Sequence, residues 1–203
     1  MNKYITEFIG TFFLVLAVGF ASGEHAVLII ASALMVMIYA GGHISGAHYN
    51  PAVTLAVLIR GKIAVSDALI YMVSQIVGAV VAAIIVGFFR DIPAEPMVLQ
   101  HTTRALAAEV IGTFALAYVV LNVATAKGTA GNSFYGLAIG FTVYFAGSLM
   151  GSHSGGAFNP AVAVGASVIK AFAWSNSWIY LVGCFGGAAL AALVFRMNNP
   201  DDK

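Results

Sequence analysis

The sequence predicts an all-α membrane protein: six transmembrane helices plus two re-entrant half-helices, arranged as an inverted repeat in a single domain over residues 1–203. Three observations carry that reading. The chain is 61% hydrophobic and only 8% charged, whereas soluble domains carry about 25% charged residues. Its charges cluster between apolar runs of the length, about 20 residues, that a helix needs to cross hydrocarbon. Finally, the pattern of the first half returns in the second.

The six spans fall at about 4–22, 26–42, 67–89, 104–124, 133–151 and 177–196. A barrel would also satisfy every backbone group in lipid, but its strands would alternate apolar and polar residues, and these runs do not. Lys3 ahead of the first run, which ends Gly19-Phe20-Ala21, has the outline of a signal peptide. Glu7 inside the run and an internal copy of the segment argue that it stays. Two shorter apolar stretches, about 51–60 and 160–168, begin at Asn50-Pro51-Ala52 and Asn159-Pro160-Ala161 and are too short to cross. Placing both termini in the cytoplasm puts Lys3, Arg60, Lys62, Lys127, Arg196 and Lys203 inside against Arg90, Arg104 and Lys170 outside, the bias expected of cytoplasmic loops. Formal net charge is +1, so nothing points to a nucleic-acid partner; the partner is a lipid bilayer, in the plasma or inner membrane. The single Cys184 cannot form an intrachain disulfide and reads as a small packing residue.

Residues 6–12, TEFIGTF, return as 108–114, AEVIGTF, an offset of 102 (109 − 7). Residues 46–53, GAHYNPAV, return as 155–162, GGAFNPAV, an offset of 109 (159 − 50). The duplicated halves are 1–90 and 104–203, joined by the polar loop 91–103. Each half has three spans, an odd number, so the second copy enters the membrane from the opposite side and the halves are related by a pseudo-two-fold axis in the membrane plane. Asn is a strong helix N-cap and Pro is favoured at the first helical position, so each Asn-Pro-Ala starts a half-helix, and inversion makes the two starts meet near the midplane. The lead-in segments HISGAHY (43–49) and SHSGGAF (152–158) are expected to run extended and to present carbonyl oxygens to a watery cavity.

These residues resemble the aquaporin, or major intrinsic protein, family over essentially the whole chain: HISGAHYNPAVTLA from His43, the second Asn159-Pro160-Ala161, Glu7 and Glu109 in EFIGTF and EVIGTF, and Gln75 in SQIVGAV. The resemblance implies a homotetramer with one pore per subunit, no cofactor and no enzymatic activity. Asn50 and Asn159 would donate to the passing molecule, and the carbonyls of Gly46, Ala47, His48, Gly155, Gly156 and Ala157 would accept from it. Glu7 and Glu109 would hold the re-entrant loops; the competing reading, a proton relay, rests on the general cost of intramembrane carboxylates.

Family members usually carry arginine directly after the second Asn-Pro-Ala, where this chain has Val162. Carrying over the other constriction positions by spacing gives Ile30, Gly147 and Gly156, so the filter reads Ile, Gly, Gly, Val: wider and less polar than in water-selective members. Ala163 stands where glycerol facilitators typically have Asp, and Gly183 where a proline is expected in the sixth span. His48 reads as pore-lining, His43 as a loop brace, His153 as a vestibule residue, and His25 and His101 as loop residues; none shows metal-ligand spacing. The Gly136/Gly140 and Gly183/Gly187 pairs read as helix-packing positions. The sequence therefore points to passive diffusion of water and small uncharged solutes such as ammonia, hydrogen peroxide or urea-sized molecules. The alternative is an inverted-repeat secondary transporter.

Overall fold

The computed structural model describes residues 1–202; Lys203, counted in the charge bias above, lies outside them. The described chain is helical: α1 (Asn2–Phe20), α2 (Ala26–Ser45), α3 (Pro51–Ile59), α4 (Val65–Phe89), α5 (Thr102–Val120), α6 (Tyr135–Ser154), α7 (Pro160–Val168) and α8 (Ser177–Asn198). A π-helical turn, Leu121–Thr125, extends α5. Five of the six long helices are long and apolar enough to cross a membrane. The sixth, α6, has similar length but dilutes its apolar residues with Gly, Ser, Thr and His.

The two helices that lead into the loops run further than the sequence suggested. Residues 43–45 and 152–154, expected to be extended, are the last turns of α2 and α6. What ends each helix is a glycine in the left-handed region, Gly46 (φ +84°) and Gly155 (φ +86°), whose N–H closes onto the carbonyl four residues back. Glycine at that position carries no Cβ penalty.

The inverted repeat is visible in the packing. α1 lies along α4 as α5 lies along α8, and α1 meets α2 as α5 meets α6. Each half-helix is captured by the other half: α3 packs on α8, and α7 on α4. Glycines permit the closest approaches. A Cβ at Gly78 of α4 would lie 2.5 Å from the Phe8 carbonyl oxygen of α1, and one at Gly187 of α8 would lie 2.4 Å from the Val110 oxygen of α5. Gly183, the position read as lacking a proline, faces Glu109 Cβ in the same seam, and α8 runs through it without a break.

The face that carries both termini is tied together at Asp202. Its carboxylate accepts from Arg60 Nη2 at the end of α3 (2.6 Å) and from the Lys127 backbone N–H (2.7 Å). The buried Arg60 guanidinium also sits 4.8 Å from the centre of the Phe195 ring. The Lys127 N–H, and with it Arg60, holds the Asp202 carboxyl below its usual range. The contribution of this tie is therefore present above the ordinary carboxylate pKa and is lost as pH falls through the lowered one.

Replacing Gly187 with Val should lower stability by at least about 1–3 kcal/mol, the usual cost of overpacking, because backbone rather than a flexible side chain stands in the way. Gly186→Ala, with open space at its Cβ, should be neutral. Thermal unfolding of the two variants in detergent measures both.

Candidate functional site

The site is built from two five-residue loops, 46–50 and 155–159, that turn back toward the centre of the helix bundle. Their backbones are strained: Ala47 (φ +51°), Tyr49 (φ +49°) and Phe158 (φ +47°) all occupy the left-handed region without being glycine, at a cost of about 1–3 kcal/mol each. Something must over-determine them, and it is the pair of buried carboxylates. Glu7 accepts from His48 N (3.0 Å), Tyr49 N (2.7 Å), Ser45 Oγ (2.6 Å) and Gln75 Nε2 (2.8 Å). Glu109 accepts from Ala157 N (3.0 Å), Phe158 N (2.7 Å), Ser154 Oγ (2.6 Å) and Cys184 Sγ (3.4 Å). Every contact of each carboxylate is a donor, and both glutamates are fully buried. With all these contacts aimed at loops and helices, the geometry is that of a brace.

Aromatic rings anchor the loops from behind. Tyr49 is wedged over Gly10 and Gly41, and Phe158 over Gly112; Tyr71 and Tyr180 donate to the carbonyls of Ser45 and Ser154, each at 2.8 Å. The two halves differ chemically around the first loop. In the first, His48 Nδ1 and Gln75 Nε2 both contact Thr54 Oγ1, at 3.1 and 3.0 Å. The positions 109 residues later hold Ala157, Cys184 and Ala163, so the polar triad has no counterpart.

Asn50 and Asn159 cap their half-helices as the sequence implied. Asn50 Oδ1 accepts from Ala52 N (2.8 Å) and Val53 N (3.4 Å), and Asn159 Oδ1 from Ala161 N (2.9 Å) and Val162 N (3.4 Å). Their amide groups also cross over. Asn50 Nδ2 donates to the Phe158 carbonyl and Asn159 Nδ2 to the Tyr49 carbonyl, each at 2.9 Å. An amide carries two N–H donors, so each Asn keeps one hydrogen to offer. Both residues line a narrow central cavity of about 70 Å³, room for on the order of five water molecules.

The cavity collects most of the residues singled out in the sequence. Ala47 and His48 reach it from the first loop and Gly155, Gly156 and Ala157 from the second, with Ile30 and Val162 on the wall. Gly46 instead lines a separate vestibule of about 480 Å³ on the terminal face, which holds Lys3, Lys62 and Asp67 and meets the cavity at His48 and Val120. Pro51, Ala52, Pro160 and Ala161 are buried in the packed tips of α3 and α7. Gly147 is a correction: it is not on the cavity wall but faces α2, where Val27 Cγ1 would lie 2.7 Å from a Cβ. The glycine lets Val27 close in, and α6 contributes Ile139 and Val143 to the wall instead.

Phe172, beyond α7, also lines the cavity and was not read from the sequence. A signal for part of the bracing existed: Ser45/Ser154 and Tyr71/Tyr180 recur at the same offset of 109 (154 − 45 and 180 − 71) as the Asn-Pro-Ala motifs. On the opposite face, His101, Arg104 and His153 share a polar vestibule of about 300 Å³. His25 lies exposed before α2, and His43, in the last turn of α2, lines a further pocket on the terminal face.

The family model described as Major intrinsic protein matches residues 1–195. The chain is 36% identical to glycerol uptake facilitator protein-like 6 of Lactiplantibacillus plantarum, over 100% of both chains. It is 30% identical to a probable aquaporin of the NIP type from Nicotiana alata, over 100% of this chain and 80% of the relative. Among solved structures, the aquaglyceroporin from Plasmodium falciparum superposes with a TM-score of 0.81 over 96% of this chain and 94% of its own, at 23% identity; at that identity it speaks for the fold.

Replacing Glu109 with Leu should strand the Ala157 and Phe158 N–H groups, at about 1–3 kcal/mol each, and loosen a loop whose φ +47° residue then keeps only its carbonyl bond to Asn50 and its ring packing. The expected outcome is a clear drop in melting temperature, read by thermal unfolding in detergent.

Proposed function

Because the chain belongs to the major intrinsic protein family, whose members are channels and not enzymes, we propose that it passes water and small uncharged solutes of the size of ammonia, hydrogen peroxide or urea down their gradients. The observation that carries this reading is the chemistry of the central wall. Two Asn N–H groups and a run of loop backbone face a surface that is otherwise largely aliphatic, broken by the His48 and Phe172 rings, and among the described residues none lining it carries a fixed charge. A neutral molecule exchanges part of its hydration for the Asn donors and slips along the apolar side. A cation meets the N-terminal ends of α3 and α7, each worth roughly +0.5 charge, pointed at one spot in a low-dielectric channel.

The outer constriction is assigned to Ile30, Gly156 and Val162, with Val27 filling toward Gly147. A molecule that cannot replace its lost hydrogen bonds there pays about 1–3 kcal/mol for each; a broad apolar ring lets it keep some water, so the channel is permissive rather than a water specialist. The name of the Lactiplantibacillus plantarum relative adds glycerol to the solutes worth measuring, against which stands Ala163. The protein is placed in the cell membrane as a homotetramer, both termini cytoplasmic. The described residues support that orientation: Lys3, Arg60, Lys62, Lys127 and Arg196 lie toward the terminal face, against Arg90, Arg104 and Lys170.

Stopped-flow measurements on proteoliposomes with water, ammonia, hydrogen peroxide, urea and glycerol should show facilitated flux of water and of at least one solute. Val162→Arg should shift that profile toward water by narrowing and charging the ring; an unchanged profile would mean the constriction lies elsewhere. A second expectation concerns protons. With valine in place of a fixed positive charge, proton flux should exceed that of empty vesicles and fall in Val162→Arg. Flux equal to that of empty vesicles would show that the two half-helix dipoles exclude protons unaided.

A further inference from the structure

His48 and Phe172 carry the only rings among the described residues that line the central cavity. They occupy related places. His48 meets Tyr71 edge-on, with ring centres 5.2 Å apart, and Phe172 stacks on Tyr180 at 4.6 Å and an interplanar angle of 4°. Tyr71 and Tyr180 are themselves equivalent across the repeat, each holding a serine carbonyl at the start of a loop. The second loop has Ala157 where the first has His48, and there a ring from a different segment leans in.

That ring is held firmly. The Phe172 N–H donates to Ala166 O (3.2 Å), and the adjacent Ala171 carbonyl accepts from Met97 N (3.0 Å), binding the segment after α7 to the loop that joins the two halves. Its Cε1 and Cζ would lie 2.5 and 2.6 Å from a Cβ on Gly155, and Met97 Cε 3.1 Å from the same point. Gly155, in a conformation that favours glycine, is thus also the residue whose missing side chain admits the ring to the wall.

We infer that Phe172 sets the bore of the channel on the side away from the termini, with the ring taking the space left open by Gly155 and Ala157. This rests on the channel reading above and deepens it. The small residues Gly156 and Val162 would leave that end wide; Phe172 narrows it with a flat apolar surface that offers no hydrogen bond. It therefore selects on solute cross-section, and Met97 supports it from the loop.

The experiment compares wild-type protein with Phe172→Ala and Phe172→Leu in proteoliposomes, reading water, urea and glycerol flux at matched protein density. Phe172→Ala should raise the glycerol-to-water permeability ratio by roughly fivefold or more, the scale on which deleted side-chain bulk changes discrimination, and Phe172→Leu should fall between. Should the alanine variant fail to fold, the leucine variant carries the comparison. A folded variant with the wild-type ratio overturns the assignment while leaving the channel intact. Wild-type vesicles with no more water, urea or glycerol flux than empty ones overturn the channel reading, and the assignment with it.

Discussion

A carboxylate placed in the middle of a helix bundle and satisfied by backbone amides is the constraint from which the rest of this structure follows. Isolated, such a group would be costly to bury. Here each of two glutamates gathers two successive loop N–H groups, a serine hydroxyl and one donor from the neighbouring long helix. The exchange benefits both sides. The acid gains the donors it needs, and a loop that would otherwise expose unpaired amides at membrane depth is fixed in a left-handed conformation that no local preference of alanine, tyrosine or phenylalanine would choose.

With the loops fixed, the remaining geometry is forced. The half-helices begin where the loops end, their Asn caps face each other, and each cap's amide reaches the opposite loop's carbonyl. Neither tip can move without disturbing the other, so the donors offered to a passing molecule are held by both halves of the repeat at once. Rigidity of this kind is what lets a few hydrogen bonds select by chemistry while a largely apolar wall keeps passage easy.

The parts of this arrangement that were legible in the sequence are those written in local chemistry or in repetition. Apolar run length revealed the long helices, Asn followed by Pro revealed the half-helix starts, and the recurrence of Glu7 as Glu109 pointed to their shared role. The helix ends at Ser45 and Ser154 were misjudged because His and Ser are poor signals of helix termination, whereas the left-handed glycine after them decides it. Spacing put Gly147 in the constriction because spacing counts residues along a helix and is blind to which way a glycine faces; Val27, on another helix, decides that. Phe172 escaped notice for a related reason. It belongs to no motif, and it reaches the cavity through a backbone bridge to Met97, 75 residues away (172 − 97), a pairing that only the tertiary structure creates.

The repeat is symmetric in backbone but not in side-chain chemistry, since His48, Thr54 and Gln75 are answered by Ala157, Ala163 and Cys184, and of these His48 and Ala157 line the cavity. A passive conduit cannot turn such lopsidedness into net uphill movement, because the free-energy difference between the two compartments does not depend on what lies between them. What the difference does decide is where a traveller lingers. Molecules with spare donors and acceptors will dwell beside the imidazole, whereas the phenyl ring at the other end offers them no hydrogen bond, so saturation and competition between solutes should be felt from one end of the passage far more than from the other.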